Sequence, residues 1–171
     1  GFDAVGVGGT LGSWGWDVEG QPWAGTVDEV IDRQRAVATL CDGHPRVHGW
    51  VTLVGHDLMS DELAVAASEL ARATGTGITF HLSPTDSDPR SYTERTGLRP
   101  LAHLDTLGVL GPHVLLGHGV HLDDVEIEIL LERDVAVAYC PWAYLRLGQG
   151  VTGSGRHADI VERGGRIALG C

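Results

Sequence analysis

The chain has 171 residues, of which 43% are hydrophobic, so it is long enough to bury the core of one domain. Its formal net charge of -11 argues against nucleic acid as a partner, and no apolar run approaches the roughly 18 residues of a membrane span. Three widely spaced cysteines without a CxxC motif argue against a disulfide framework and fit a cytoplasmic protein: Cys41, Cys140 and Cys171.

Strand patterns and helix patterns alternate along the whole chain. Runs rich in apolar and β-branched residues predict six strands, over 3–8, 46–54, 78–82, 113–119, 135–140 and 166–171. A helical segment is predicted in each of the five gaps, over 26–43, 60–74, about 90–107 with a break near Gly97, 123–133 and about 156–163. Thr26, followed three residues later by Glu29, has the spacing of a capping box, and Ser60 and Gly75 are typical of a helix start and end.

This alternation predicts an α/β fold with a parallel sheet covered by helices. Two architectures remain open, an open doubly wound sheet and part of a (β/α)8 barrel. A complete barrel needs eight strands and about 250 residues, so the barrel interpretation makes residues 1–171 a single partial domain and a fragment of a longer chain.

The glycine-rich stretch 6–12 (GVGGTLG) does not match a dinucleotide-binding fingerprint. Leu11 stands where the GxGxxG pattern needs its last glycine, and the next predicted helix begins only near Thr26. This argues against an open-sheet oxidoreductase. The following loop carries Trp14, Trp16 and Trp23, which either wall a substrate pocket on the functional face or pack on neighbouring helices.

Three consecutive predicted strands each bring a histidine to their carboxyl end or just beyond it. These are His56, His81 and His118. Sites in parallel α/β proteins are built at this edge, and neutral imidazole is a common ligand of zinc and iron. A single histidine in such a position is more often a core or rim residue that bonds to backbone, but three at successive strand ends favour a site.

The second half of the chain resembles the metal-dependent amidohydrolase superfamily, in its branch of aminohydrolases, nucleobase-type deaminases and triazine hydrolases. The family phrase LGLLGP..LLAHCVHLDDEEI is similar to LGVLGPHVLLGHGVHLDDVEI at 107–127. The phrase VAHCPTSNLKLGSGI is similar to AYCPWAYLRLGQGV at 138–151, and ALGTD is similar to ALGC at 168–171. The resemblance covers roughly the last 90 residues, in order and in spacing.

The resemblance implies an incomplete (β/α)8 TIM barrel, about strands three to eight, that takes one divalent metal ion, zinc first and iron as the alternative. It implies that His81 is a metal ligand on the fifth barrel strand. His118 would be the catalytic histidine that orients or deprotonates the attacking water, and His56 would contact the substrate.

The chain departs from the family pattern at four places. It contains no HxH ligand pair, and the final metal aspartate would follow Cys171. Pro84 replaces the acid/base glutamate, and Tyr144 replaces an asparagine. We therefore expect these residues alone to hold little metal, and we expect Asp86 or Asp88, or the substrate itself, to supply the proton that the leaving amine needs.

The sequence thus predicts a metal-dependent hydrolase that deaminates a small ring compound or hydrolyses its C–N or C–Cl bond. Its expected partner is a small-molecule substrate, without nucleic acid or membrane, and a homo-oligomer is left open. The alternative is a non-catalytic homologue that acts in binding or assembly, which Pro84 favours and the paired histidines His81 and His118 disfavour.

Overall fold

The structure is a computed structural model that describes residues 3–18, 24–148 and 155–170. Its strands are β1 (Gly9–Leu11), β2 (Val47–Gly49), β3 (Val51–Gly55), β4 (Ile78–Leu82), β5 (Val114–His118), β6 (Ala136–Tyr139) and β7 (Arg166–Leu169). Its helices are a 3-10 turn (Asp3–Val5), α1 (Val27–Cys41), α2 (Asp61–Thr74), α3 (Ser87–Thr96), α4 (Pro100–Thr106), α5 (Asp124–Glu132), α6 (Pro141–Leu147) and α7 (His157–Glu162). No helix in these ranges combines the length and the apolar character that crossing a bilayer requires.

The predicted helix ends of α1 and α2 are confirmed by their hydrogen bonds. The Thr26 hydroxyl accepts from the amide of Glu29, whose carboxylate accepts from the Thr26 amide, so both arms of the capping box are present. The Ser60 hydroxyl accepts from the amide of Leu63 at 3.1 Å. Gly75 ends α2 with a φ of 65°, a left-handed conformation that glycine adopts without steric cost.

Five strands form one sheet in the order β3-β4-β5-β6-β7, which is their order in the chain. The pairs β5–β6 and β6–β7 are parallel. Strands β1 and β2 form a separate parallel pair. The predicted sequential order is therefore confirmed for this sheet, and the order has no switch point of the kind that defines a doubly wound sheet.

The beginning of the sheet differs from the prediction. The predicted strand 3–8 is wrong, because Asp3–Val5 forms a 3-10 turn, Gly6 follows with a φ of +72°, and β1 begins only at Gly9. The predicted strand 46–54 divides at Trp50, where the chain changes partners. The Trp50 amide donates to the Leu11 carbonyl, whereas the next amide, that of Val51, donates to the Gly77 carbonyl.

Helix α6 lies in a segment where the sequence analysis predicts neither a strand nor a helix. It begins with Pro141, whose fixed φ suits the first helical position, and ends at Gly148, which has a left-handed φ of 65°. The short apolar stretch between them gave no helical periodicity long enough to be recognised.

The chain divides into two compact units. The first comprises Gly1–Val54 and Leu58–Thr79, and the second comprises Gly55–Asp57 and Phe80–Cys171. In the first unit, Gln34 is buried on α1, donates to the carbonyls of Ser13 and Thr52, and accepts from the Thr52 amide. In the second, the core is formed by buried apolar side chains of the strands and of the helices that follow them, including Leu116, Ile127, Val137 and Ile160.

A buried ion pair joins the helices of the second unit. Glu126 on α5 is fully buried, and its carboxylate accepts from the Arg99 guanidinium at 2.7–2.8 Å and from the Leu101 amide at 3.0 Å. The same carboxylate accepts from the Asp123 amide, whose side chain caps α5 in return. Arg99 also donates to the His121 carbonyl at 2.6 Å, so this pair fixes the loop after β5.

We expect Glu126→Ala to lower the free energy of unfolding by about 3 kcal/mol, because the amides of Leu101 and Asp123 lose their acceptor. The Arg99 guanidinium also loses its buried partner and keeps only the more exposed carboxylate of Asp123. Glu128→Ala on the same helix removes a pair with Arg163 that is open to solvent, and should cost no more than about 0.5 kcal/mol. Urea unfolding of the protein that contains this chain measures both. Equal urea midpoints for the two variants would contradict this assignment of the core.

Candidate functional site

The carboxyl ends of β3, β4 and β5 are held together by backbone hydrogen bonds. The His56 amide donates to the His81 carbonyl at 3.1 Å, and the Gly119 amide donates to the Leu82 carbonyl at 2.9 Å. One step further along, the His121 amide donates to the Ser83 carbonyl at 3.3 Å. These bonds place the three predicted site histidines, all in the second unit, at adjacent strand ends.

The rings of His81 and His118 lie against each other. Their centroids are 4.9 Å apart and the ring planes are tilted by 43°. Gly117 leaves room for this contact, because a Cβ atom there would lie 3.0 Å from Cδ2 of His81, closer than side chains normally pack. Two successive strands therefore bring two imidazoles together, as the sequence predicted.

His56, at the end of the neighbouring strand β3, is buried, with 3% of its surface exposed. Its Nδ1 lies 3.2 Å from the His81 carbonyl, and since a carbonyl only accepts, Nδ1 carries the proton. The Nε2 atom therefore has a free lone pair, and it is buried without a hydrogen-bond partner among the described residues. The ring packs at 5.2 Å from the ring of Tyr92 on α3.

The surroundings keep these imidazoles neutral. Desolvation lowers the pKa of His118 to about 4, and the neighbouring His81 adds to the effect. Desolvation also lowers the pKa of His56 and that of His81, although the charge of Asp57 opposes it in both cases. Neutral imidazole is the form that binds a metal ion or accepts a proton.

Asp86 and Asp88, in the loop after β4, affect the pKa values of different histidines. Asp88 raises the pKa of both His56 and His118 through its charge, while Asp86 acts in this way only on His121. One oxygen of Asp88 accepts from the Thr85 amide at 2.8 Å. Asp86 is exposed and lies 3.6 Å from the Arg90 guanidinium. Pro84 lies in the same loop and has no ionisable group.

Two residues that the sequence analysis did not place in the site contact His118. Nε2 of His157, the first residue of α7, donates to the His118 carbonyl at 2.7 Å. The Tyr144 hydroxyl lies 3.4 Å from the same carbonyl, and its ring is 5.5 Å from the His118 ring. Burial raises the pKa of Tyr144 to about 12, so its hydroxyl keeps its proton.

The tryptophan loop belongs to the first unit. Trp14 is exposed, with 61% of its surface accessible, whereas Trp16 is buried at 7%. Trp16 thus follows the packing alternative, and Trp14 is free to contact a ligand. Trp23 and Cys171 lie outside the described residues, and Cys140 is buried.

The donors at this edge fit one part of a metal site. His81 is exposed, its imidazole is neutral, and its ring makes no hydrogen bond to a described residue. The Nδ1 atom of the neighbouring His118 is buried and also lacks such a bond. Within 3–18, 24–148 and 155–170, however, no group of three or more His, Cys, Asp or Glu side chains is arranged to hold a metal ion. The described residues therefore supply at most two of the four ligands that zinc takes.

The chain is similar in sequence to known deaminases. It is 39% identical over 111 residues to a 5-methylthioadenosine/S-adenosylhomocysteine deaminase of Thermococcus sibiricus, and this match covers 65% of the chain and 26% of that protein. It is 36% identical over 147 residues to the deaminase of the same name in Aquifex aeolicus, covering 86% of the chain and 34% of that protein. The chain thus spans about a quarter to a third of the length of these relatives. No protein-family profile matches the chain.

Solved structures resemble it over nearly its whole length. An adenosine deaminase from Xanthomonas campestris with bound zinc superimposes with a TM-score of 0.88 at 22% identity, covering 99% of this chain and 38% of that one. An atrazine chlorohydrolase from Arthrobacter aurescens in complex with zinc also gives 0.88, at 18% identity, covering 99% and 39%. At this identity the likeness establishes a shared fold.

Acid should weaken folding, because the pKa values of five histidines are lowered in the folded state: His56, His81, His118, His121 and His157. A group with a depressed pKa contributes stability above its unfolded value of about 6.5 that is lost as the pH falls toward the folded value. We expect the urea midpoint of the chelator-treated protein to fall from about pH 7 to about pH 5.

His118→Asn removes the imidazole whose pKa is lowered to about 4 and serves as the matched comparison. Its urea midpoint should fall less steeply over the same pH interval, because one proton-binding site of the unfolded chain is gone. A midpoint of the parent protein that stays level or rises on acidification would show that these imidazoles are not held neutral.

Proposed function

The chain belongs to the metal-dependent amidohydrolase superfamily, and from this premise we propose that it forms about strands three to eight of an incomplete (β/α)8 barrel whose carboxyl-end site hydrolyses a small ring compound. The observation that carries the proposal is the contact between the neutral rings of His81 and His118, 4.9 Å apart at the ends of adjacent strands. Sites of this fold are built at that end of the strands.

The reaction class that the relatives support is removal of an amino group from an adenine-type ring. The two relatives described above carry the names of deaminases that act on 5-methylthioadenosine and S-adenosylhomocysteine. Another relative, from Methanothermobacter thermautotrophicus, is named a 5'-deoxyadenosine deaminase and is 35% identical over 111 residues. These three compounds are the first substrates to assay. The named enzymes among the relatives favour catalysis over the non-catalytic alternative.

We assign one divalent metal ion to the site, with zinc as the preferred ion and iron as the alternative. When bound, such an ion lowers the pKa of a water molecule toward about 7 and so supplies a nucleophile at neutral pH. His81 would hold the ion through its exposed, neutral ring, together with ligands outside the described residues.

Three residues of this chain are assigned to the attacking water, the substrate and the leaving amine. His118 is neutral and lies against His81, so it can orient the attacking water and accept its proton. His56 presents a buried, unprotonated Nε2 atom, which accepts a hydrogen bond from a substrate donor. Asp88 is the candidate that returns a proton to the leaving amine, because its charge acts on both His56 and His118.

Replacing His81 by Ala in the protein that contains this chain should abolish metal binding and deaminase activity together, because a ligand is lost. His118→Ala should abolish activity and leave most of the metal, because its assigned task is to handle water and protons. Metal analysis of each purified variant and a spectrophotometric deamination assay measure the two effects. The exposed His48 lies in the first unit, and His48→Ala is the matched control. Full metal occupancy without His81 would refute the assignment.

Asp88→Asn should lower kcat by about 100-fold, in the range typical for loss of a group that transfers a proton. Asn keeps the acceptor for the Thr85 amide, so the loop should retain its conformation. Asp86→Asn in the same loop should leave kcat within about twofold, because Asp86 is exposed and pairs with Arg90. Equal losses in the two variants would assign the proton donor to another group, such as the substrate.

A further inference from the structure

His118 has an unusual backbone conformation for a residue at the end of a strand. Its φ is +78°, in the left-handed region that side chains other than glycine seldom adopt. The following residue, Gly119, also has a positive φ, of +57°. Such a conformation persists only where the surroundings hold it, and such residues cluster at functional sites.

A side chain from a distant part of the chain holds this conformation. The His118 carbonyl accepts a hydrogen bond of 2.7 Å from Nε2 of His157, which lies 39 positions further along the chain. Because a carbonyl has no proton to give, His157 must carry its proton on Nε2. His157 is itself buried, with 8% of its surface exposed, so water does not readily replace this bond.

Two tyrosines complete the surroundings of this bond. The Tyr144 hydroxyl accepts from the Cys140 amide at 3.1 Å, which directs its single proton toward the His118 carbonyl 3.4 Å away. The ring of Tyr139 packs 4.6 Å from that of His157. The Tyr139 hydroxyl makes no hydrogen bond to a described residue.

We propose that His157 is a positioning residue, whose Nε2–H···O bond to the His118 carbonyl fixes the left-handed backbone of His118 and thereby the direction of its imidazole. The inference rests on the proposed function, in which that imidazole handles the attacking water. The consequence is geometric, because rotation of the His118 backbone would move its ring away from His81. A displacement of about 1 Å at a reacting group can cost about 100-fold in rate.

The amide side chains of Gln and Asn separate positioning from simple packing. Gln places an N–H donor near the position of the His157 Nε2 atom. Asn is one methylene shorter and removes this bond, so that the His118 carbonyl keeps only the longer one from Tyr144. Both variants are polar and neither titrates. If His157 positions His118, His157→Gln should behave like the parent protein and His157→Asn should not.

The first readout is independent of activity. In protein labelled with 15N-histidine and treated with a chelator, the His118 imidazole signals are assigned by their loss in His118→Gln. We expect these signals to move in His157→Asn and to stay near their parent positions in His157→Gln. Tyr139→Phe is the matched control, because it removes a neighbouring hydroxyl and leaves the His157 bond in place, and its His118 signals should stay near the parent positions.

The second readout is kinetic, with the zinc-loaded protein and the adenosine compounds named above. His157→Asn should lower kcat by about 10- to 100-fold with KM within about twofold, and His157→Gln should restore most of kcat. Equal behaviour of the Gln and Asn variants, or unchanged His118 signals in His157→Asn, would overturn the inference. If none of these compounds is deaminated, the proposed deaminase activity is refuted for them. The imidazole signals alone then decide the role of His157.

Discussion

The site depends on the backbone hydrogen bonds that join the carboxyl ends of three adjacent strands. In the second unit, the amide of His56 is bonded to the carbonyl of His81, and the amide of Gly119 to that of Leu82. Once these bonds form, the side chains that end the strands have little freedom in where they lie. The contact between His81 and His118 follows from this register, and Gly117 contributes by having no side chain in the space that His81 needs.

Grouping neutral imidazoles at one edge of the sheet makes the fold sensitive to acid and also makes the ring nitrogens available for binding. Burial and the proximity of other imidazoles disfavour the protonated form, so the folded state resists proton uptake and is weakened by acid. The same conditions leave ring nitrogens with free lone pairs at neutral pH, which metal binding and proton acceptance require.

Local signals in the sequence predicted most elements of the fold, and nonlocal pairing explains the exceptions. The cap at Thr26, the strand 78–82 and the break near Gly97 were recognisable because each depends on residues within a few positions. The division at Trp50 was not, because it depends on a change of partner from Leu11 to Gly77. The site histidines were recognisable in the local way, because each of them ends a predicted strand or follows it directly.

His157 escaped prediction because its partner is a carbonyl 39 residues earlier, a relation that no spacing in the sequence expresses. The left-handed φ of His118 is equally invisible in the sequence, since the strand pattern around it predicts an extended backbone. The strand-end position of His118 and the resemblance to a family phrase marked this segment as important. The geometry adds which groups hold the conformation.

One departure from the family pattern lies directly against the His118 imidazole. Tyr144, which stands where the family pattern has an asparagine, places its ring 5.5 Å from that of His118. Its aromatic ring adds to the burial of His118, and desolvation is the main cause of the lowered His118 pKa of about 4. An imidazole in such surroundings accepts a proton only transiently, so it must pass the proton on. Pro84 has no ionisable group where the family pattern has its glutamate, so in the proposed mechanism Asp88 or the substrate itself would receive that proton.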